Sequence, residues 1–68
     1  KKMEKLRVQF ERKYIFSTGQ IYTIKGCYGI AEIDGKKKRV VTYENVSRGN
    51  RVVVVGIEGY RLIVKRIP

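Results

Sequence analysis

The chain has no histidine, one cysteine and one proline in 68 residues, and only 6 acids stand against 16 lysines and arginines. Each scarcity closes off some chemistry. Without histidine, no Ser-His-Asp relay can be assembled around Ser17 or Ser47, and the usual zinc constructions are absent. With Cys27 alone there is neither a disulfide framework nor a thiolate metal cluster, and a cytosolic compartment is compatible with that usage. The acids Glu4, Glu11, Glu32, Asp34, Glu44 and Glu58 are scattered, with no spacing suited to paired acid–base carboxylates or a calcium loop. No apolar run approaches the length of a membrane span, and no secretory signal is visible. The expectation is a chain with no enzymatic activity, no cofactor and no metal.

Leucine is scarce as well, at Leu6 and Leu62, while valine and isoleucine dominate an apolar fraction of 43%. That balance favours strands over helices and is enough for one small core. The formal charge of +10 draws in polyanions: nucleic acid, an anionic membrane surface, or an acidic protein. It is equally compatible with a solvated coat.

The first stretch, "KKMEKLRVQFERKYIF", reads at period two through Leu6, Val8 and Phe10, and more loosely at helical spacing through Met3, Leu6, Phe10 and Tyr14. Residues 1–16 are taken as a basic arm or linker and residues 17–68 as the domain. From Ser17 the pattern sharpens, with a turn expected at Gly19. Tyr22 and Ile24 fall on one face of a strand, Ile21 and Thr23 on the other. "IAEIDG" sets Ala31 and Ile33 against Glu32 and Asp34 and ends in Asp34-Gly35, a good hairpin-turn pair. "KKKRVVTY" returns as a strand, and "ENVSRGN" is a polar connection. "RVVVVG" and "YRLIVKRI" close the chain, with Leu62 and Val64 opposed to Arg61, Ile63 and Lys65. The glycines Gly19, Gly29, Gly35, Gly49, Gly56 and Gly59 serve as the turns and bends, and "GCYG" lacks the spacing of a nucleotide-binding loop. Five short strands leave two open edges and one bare face unless the sheet closes on itself. The expected fold is all-β, a small five-stranded barrel of OB type or its SH3-like rival.

The closing stretch "VSRGNRVVVVGIEGYRLIVKRI" resembles the final hairpin of the NfeD-like C-terminal domain. The matching positions are Gly49, Val52 to Val54, Gly56, Gly59, Leu62 and Val64. Upstream, Gly29, Ile33-Asp34-Gly35 and "KKKRVV" resemble the family's middle hairpin, so the likeness runs over residues 19–67. Where the family has a Leu-Arg-Pro-Ser-Gly-like stretch, this chain reads Ile24-Lys25-Gly26-Cys27-Tyr28-Gly29. The resemblance implies an OB-fold barrel carried at the C-terminus of a membrane protein that works with a stomatin-like partner. It implies membrane association through segments outside this sequence, with the barrel on the cytoplasmic side.

Within that picture, Lys36, Lys37, Lys38, Arg39, Arg48 and Arg51 are the candidates for contact with an anionic surface. The loops at 26–29 and 44–50 are the places to look for partner contacts. The alternative is a free-standing nucleic-acid-binding OB module. It becomes credible if Tyr22 and Tyr28 point outward beside the lysines of 36–38, and recedes if Tyr22 fills the barrel and Tyr28 covers its end.

Overall fold

The computed structural model describes residues 13–68, and every regular element among them is a strand. They are β1 (Thr18–Lys25), β2 (Tyr28–Ile33), β3 (Lys36–Val41), β4 (Arg51–Glu58) and β5 (Arg61–Arg66). The sheet closes in the order β1-β2-β3-β5-β4, with β1 returning to β4. All pairings are antiparallel except β3 with β5. This is the closed five-stranded OB barrel, and closure leaves no long edge exposed for a second chain to extend.

The short turns follow from their residues. Asp34 and Gly35 both have positive φ (52° and 77°), the pairing that a two-residue type I′ hairpin turn requires, and Ile33 and Lys36 face each other across it. At Gly26-Cys27 and at Gly59-Tyr60 only the glycine has positive φ, which places glycine first in each two-residue loop.

The interior is built mostly from β-branched residues at alternate positions. Ile21, Ala31, Ile33, Val40, Val52, Val54, Leu62 and Val64 are buried in one cluster, with Ile24, Val46 and Ile57 packed against it. Burying each of the valine, leucine and isoleucine side chains contributes roughly 1.5–3 kcal/mol, and the Ala31 methyl less. Tyr14 belongs to the same cluster. The packed unit therefore begins before Ser17, the boundary drawn from strand pattern. Residues 13–16 form a turn in which Ser17 donates its amide to the Tyr14 carbonyl (2.9 Å) and Phe16 donates to the Val54 carbonyl (2.7 Å). The rest of the expected arm, residues 1–12, lies outside the described residues.

Two bulges correct the expected alternation. In β1 the register shifts between Ile21 and Thr23, so Ile21 and Ile24 both face inward while Tyr22 and Thr23 both face outward. The sequence reading had paired Tyr22 with Ile24, which holds only for an unbroken strand. In β4 the shift falls between Val54 and Gly56. Three glycines assigned to turns also lie inside strands: Gly19 in β1, Gly29 in β2 and Gly56 in β4. The first two are there because neighbouring backbone passes too close for a side chain. A Cβ on Gly19 would sit 1.9 Å from the Glu32 carbonyl oxygen, and one on Gly29 would sit 2.3 Å from that of Thr23.

The connection from β3 to β4 has no helix, yet it is tied down. Ile21 of β1 holds it with both backbone groups: its N–H donates to the Asn50 carbonyl (2.9 Å) and its carbonyl accepts from the Gly49 N–H (2.8 Å). Asn50 Oδ1 accepts from the Ser47 amide at 2.8 Å, and Glu44 Oε1 accepts from the Arg66 amide at 2.8 Å.

Candidate functional site on the outer face of strands 1 to 3

The pairing registers place three rows of residues on the outside of β1–β2–β3. The first row is Lys25, Tyr28 and Val41; the second is Thr23, Ile30 and Arg39; the third is Gln20, Glu32 and Lys37. The β1 bulge adds Tyr22 to this face. Tyr22 is 45% exposed and Tyr28 55%, so neither ring fills the barrel, and the inward placement weighed for Tyr22 is overturned. The reason is the bulge, which lets Ile21 and Ile24 both face the interior and leaves Tyr22 and Thr23 between them on the outside.

Both rings carry cations. Lys37 Nζ lies 4.2 Å from the Tyr22 ring centre, and the Arg48 guanidinium lies 5.5 Å from it. The Arg61 guanidinium lies 4.7 Å from the Tyr28 ring centre. Contacts of this kind are worth roughly 0.5–1 kcal/mol at exposed sites. The aromatic side chains and the charges thus share a face, an arrangement that strand alternation alone did not reveal.

Between Tyr28 and β5 the face folds into a groove of about 240 Å³, lined by Thr23, Lys25, Tyr28, Ile30, Arg39 and Arg61 together with the Gly29 backbone. Arg61 sets its depth. Half-buried, it donates from Nη1 to the carbonyl oxygens of Val40 (3.1 Å) and Gly29 (3.4 Å), bridging β2 and β3 from the start of β5. Among the described residues no carboxylate lines the groove. Glu58, opposite Arg61 in the β4–β5 ladder, is occupied by Tyr43, whose hydroxyl donates to its Oε1 at 2.5 Å. That bond, made to the neutral phenol, is the main reason the Tyr43 pKa is pushed up to about 12.

The six predicted contact cations do not act together. Lys37 and Arg48 meet at Tyr22, and Arg39 lines the groove. Lys38 is half-buried with its ammonium 4.6 Å from the Tyr14 ring centre, away from the outer face. Lys36 and Arg51 are exposed near the turns that begin β3 and β4. Lys25, Ile30 and Arg61 complete the groove and were missing from that set. A signal for Ile30 was available: parity puts it beside Glu32, as an aliphatic residue on the polar side of its strand. Among the described residues no group of three or more His, Cys, Asp or Glu side chains could hold a metal ion, and no helix is long and apolar enough to cross a membrane.

No family model and no curated protein matches this chain. Among solved structures it is similar to the C-terminal domain of stomatin operon partner protein 1510-C from Pyrococcus horikoshii, with a TM-score of 0.75 and 24% identity. The match covers 84% of this chain and 92% of that one. The barrel that the sequence resemblance implies is therefore the barrel this chain has, and it is shared with a domain of a stomatin operon partner.

Proposed function

We propose that this chain is the non-enzymatic interaction domain of an NfeD-like membrane protein, working with a stomatin-like partner on the cytoplasmic side of the membrane surface. The observation that carries this reading is the agreement between two likenesses. The residues from Gly19 to Ile67 resemble the NfeD-like C-terminal domain, and the fold is similar over most of both chains to the C-terminal domain of a stomatin operon partner. The outer face of β1–β2–β3 supports the same reading, because it sets cations beside exposed rings. The test is capture of a stomatin-like membrane protein, in detergent, by the folded chain at physiological salt. Saturable binding is the expected result. Failure of a folded chain to bind across a panel of such proteins would remove the reading.

One observation favours a second reading, a nucleic-acid-binding module. Tyr22 and Tyr28 point outward beside Lys37, Arg48 and Arg61, as stacking platforms next to phosphate-binding charges would. Against it, Glu32 stands on the same face between Gln20 and Lys37, where it repels a continuous phosphate track. An NMR titration with a short oligonucleotide decides it. Localised shifts at Tyr22, Tyr28 and Lys37 that survive physiological salt establish this reading, and diffuse shifts that vanish with salt remove it.

A further inference from the structure

The groove between Tyr28, Ile30, Arg39 and Arg61 is a half-built salt bridge. Lys25, Arg39 and Arg61 line it, and among the described residues no carboxylate does. Among the described residues, the Arg61 guanidinium bonds only through Nη1, to the Val40 and Gly29 carbonyls. Those two bonds and the Tyr28 ring hold the guanidinium in one place, and the other edge of its fork still has N–H groups to donate. Arg39 and Lys25 form no ion pair among the described residues. A guanidinium already fixed by its neighbours loses little further side-chain freedom when a carboxylate docks on it, which is the condition under which such a bond adds net affinity.

The floor is not purely ionic. Ile30, half-buried in the second outer row and flanked by Thr23 and Arg39, lines it, and the Tyr28 ring stands beside it. A ligand that satisfies the whole groove therefore brings an oxyanion and an apolar body together. Its anionic portion is short, because the far end of the face carries Glu32.

We propose that this groove binds an acidic segment of a partner protein, with a carboxylate on Arg61, Arg39 and Lys25 and a neighbouring aliphatic side chain on Ile30. The proposal rests on the reading of the chain as an interaction domain and adds the site and the chemistry of what it recognises. A polynucleotide fits the groove less well for two reasons: each tyrosine ring already has a cation over it, and a phosphate track along the face must pass Glu32.

The test is an NMR titration of the isotope-labelled chain at physiological salt with four probes. These are a short peptide of alternating glutamate and leucine, its glutamine–leucine counterpart, a thymidine oligonucleotide of equal charge, and phosphatidylserine vesicles. The expected result is saturable shifts from the glutamate peptide at Lys25, Tyr28, Ile30, Arg39 and Arg61. The glutamine peptide should give none, and Arg39→Glu should weaken binding by roughly tenfold or more. Lys65→Glu, at an exposed position of β5 outside the groove, should leave it intact. Equal binding of the glutamine peptide, shifts centred elsewhere, or tighter occupation of the same groove by the oligonucleotide or the vesicles would each overturn the proposal. Arg61→Lys separates positioning from charge. It keeps the cation and loses the fork, so peptide affinity falls while the unfolding midpoint is monitored alongside. Its failure and that of the broader reading are distinguishable. If Arg39→Glu still captures the stomatin-like protein, the groove assignment falls and the interaction domain stands. If the unmutated chain captures nothing, the interaction domain falls whatever the peptides do.

Discussion

The two longest strands, β1 and β4, use one device to different ends. Each has eight residues, each carries one register shift near its middle, and each resumes its inward alternation afterwards, β1 with Ile24 and β4 with Ile57. In β1 the shift turns out Tyr22, which gathers Lys37 and Arg48. In β4 it turns out Val55, an aliphatic residue 39% exposed, with Gly56 behind it. The same backbone solution to bending a strand round a small barrel thus yields a charged aromatic face on one side and a plain surface on the other. The difference lies entirely in which residue occupies the extra position.

Alanine at the strand glycines breaks this comparison most sharply. Gly19 and Gly29 face carbonyl oxygens that cannot retreat without moving a strand, so Gly19→Ala and Gly29→Ala should each cost about 3 kcal/mol. Total stability for a chain of this size is on the order of 3–10 kcal/mol, so urea denaturation should find either variant near its folding limit. Gly56→Ala should cost less than about 1 kcal/mol, since the new Cβ meets only the Ile63 Cδ1 at 3.4 Å. If all three variants proved equally stable, the strand packing described for β1 and β2 would be wrong.

The bulged residues themselves come next in size. Tyr22→Ala should lower stability by roughly 1 kcal/mol through lost cation–π contacts and cover, with part of the loss recovered in Tyr22→Phe. Val55→Ala should stay within about 0.5 kcal/mol, as a surface change outside the interior cluster. Both are read from thermal unfolding at low and high salt, and only the Tyr22 variant should change the salt dependence.

The smallest effect belongs to pH. The folded chain holds the Tyr43 proton more tightly than an unfolded tyrosine does, because Glu58 accepts it. Its contribution to stability is therefore complete below an ordinary tyrosine pKa of about 10, and is lost as pH rises towards about 12. In Tyr43→Phe that part of the alkaline decline should be missing. Melting temperatures of the two proteins, followed through this range, should converge as the pH rises.

Much of the barrel is legible in the residues. Asp34-Gly35 specifies its turn through two positive φ angles, and Leu62 with Val64 fills the interior as alternation requires. Ala31 and Ile33 do the same in β2. The face around Tyr22 is another matter. Alternation assumes one residue per step, and a bulge is visible only when the opposite strand is in place to show two residues against one. Gly29 is the trace that the crowding leaves in the sequence, but a glycine in a strand reads as a bend until Thr23 and Ile24 are known to press on it. Tyr14 is a related case: the sequence offers it only at the end of a loose helical stripe, whereas it enters the interior from a turn that no strand alternation marks. The charges were evident from composition, but their grouping was not. Lys37 and Lys38 are adjacent in sequence, yet one lies over Tyr22 and the other over Tyr14.

The parallel contact between β3 and β5 also has a kinetic consequence. Only Val40 with Leu62 and Val41 with Ile63 are in register there, whereas the three hairpins each close across a two-residue turn. Hairpins of that kind form from neighbouring segments at small entropic cost, while the β3–β5 contact must wait until the whole intervening segment has been ordered. The β1–β4 ladder joins segments still farther apart in the chain, so these two long-range pairings are expected to follow the hairpins as the barrel closes. Native-state hydrogen exchange should show this as earlier loss of protection at Val41 and Ile63 than at the centre of the β1–β2 ladder. Because Arg61 bonds across the β3–β5 junction to Gly29 and Val40, the side chain placed to receive a carboxylate is also a clasp on one of the barrel's two long-range joints.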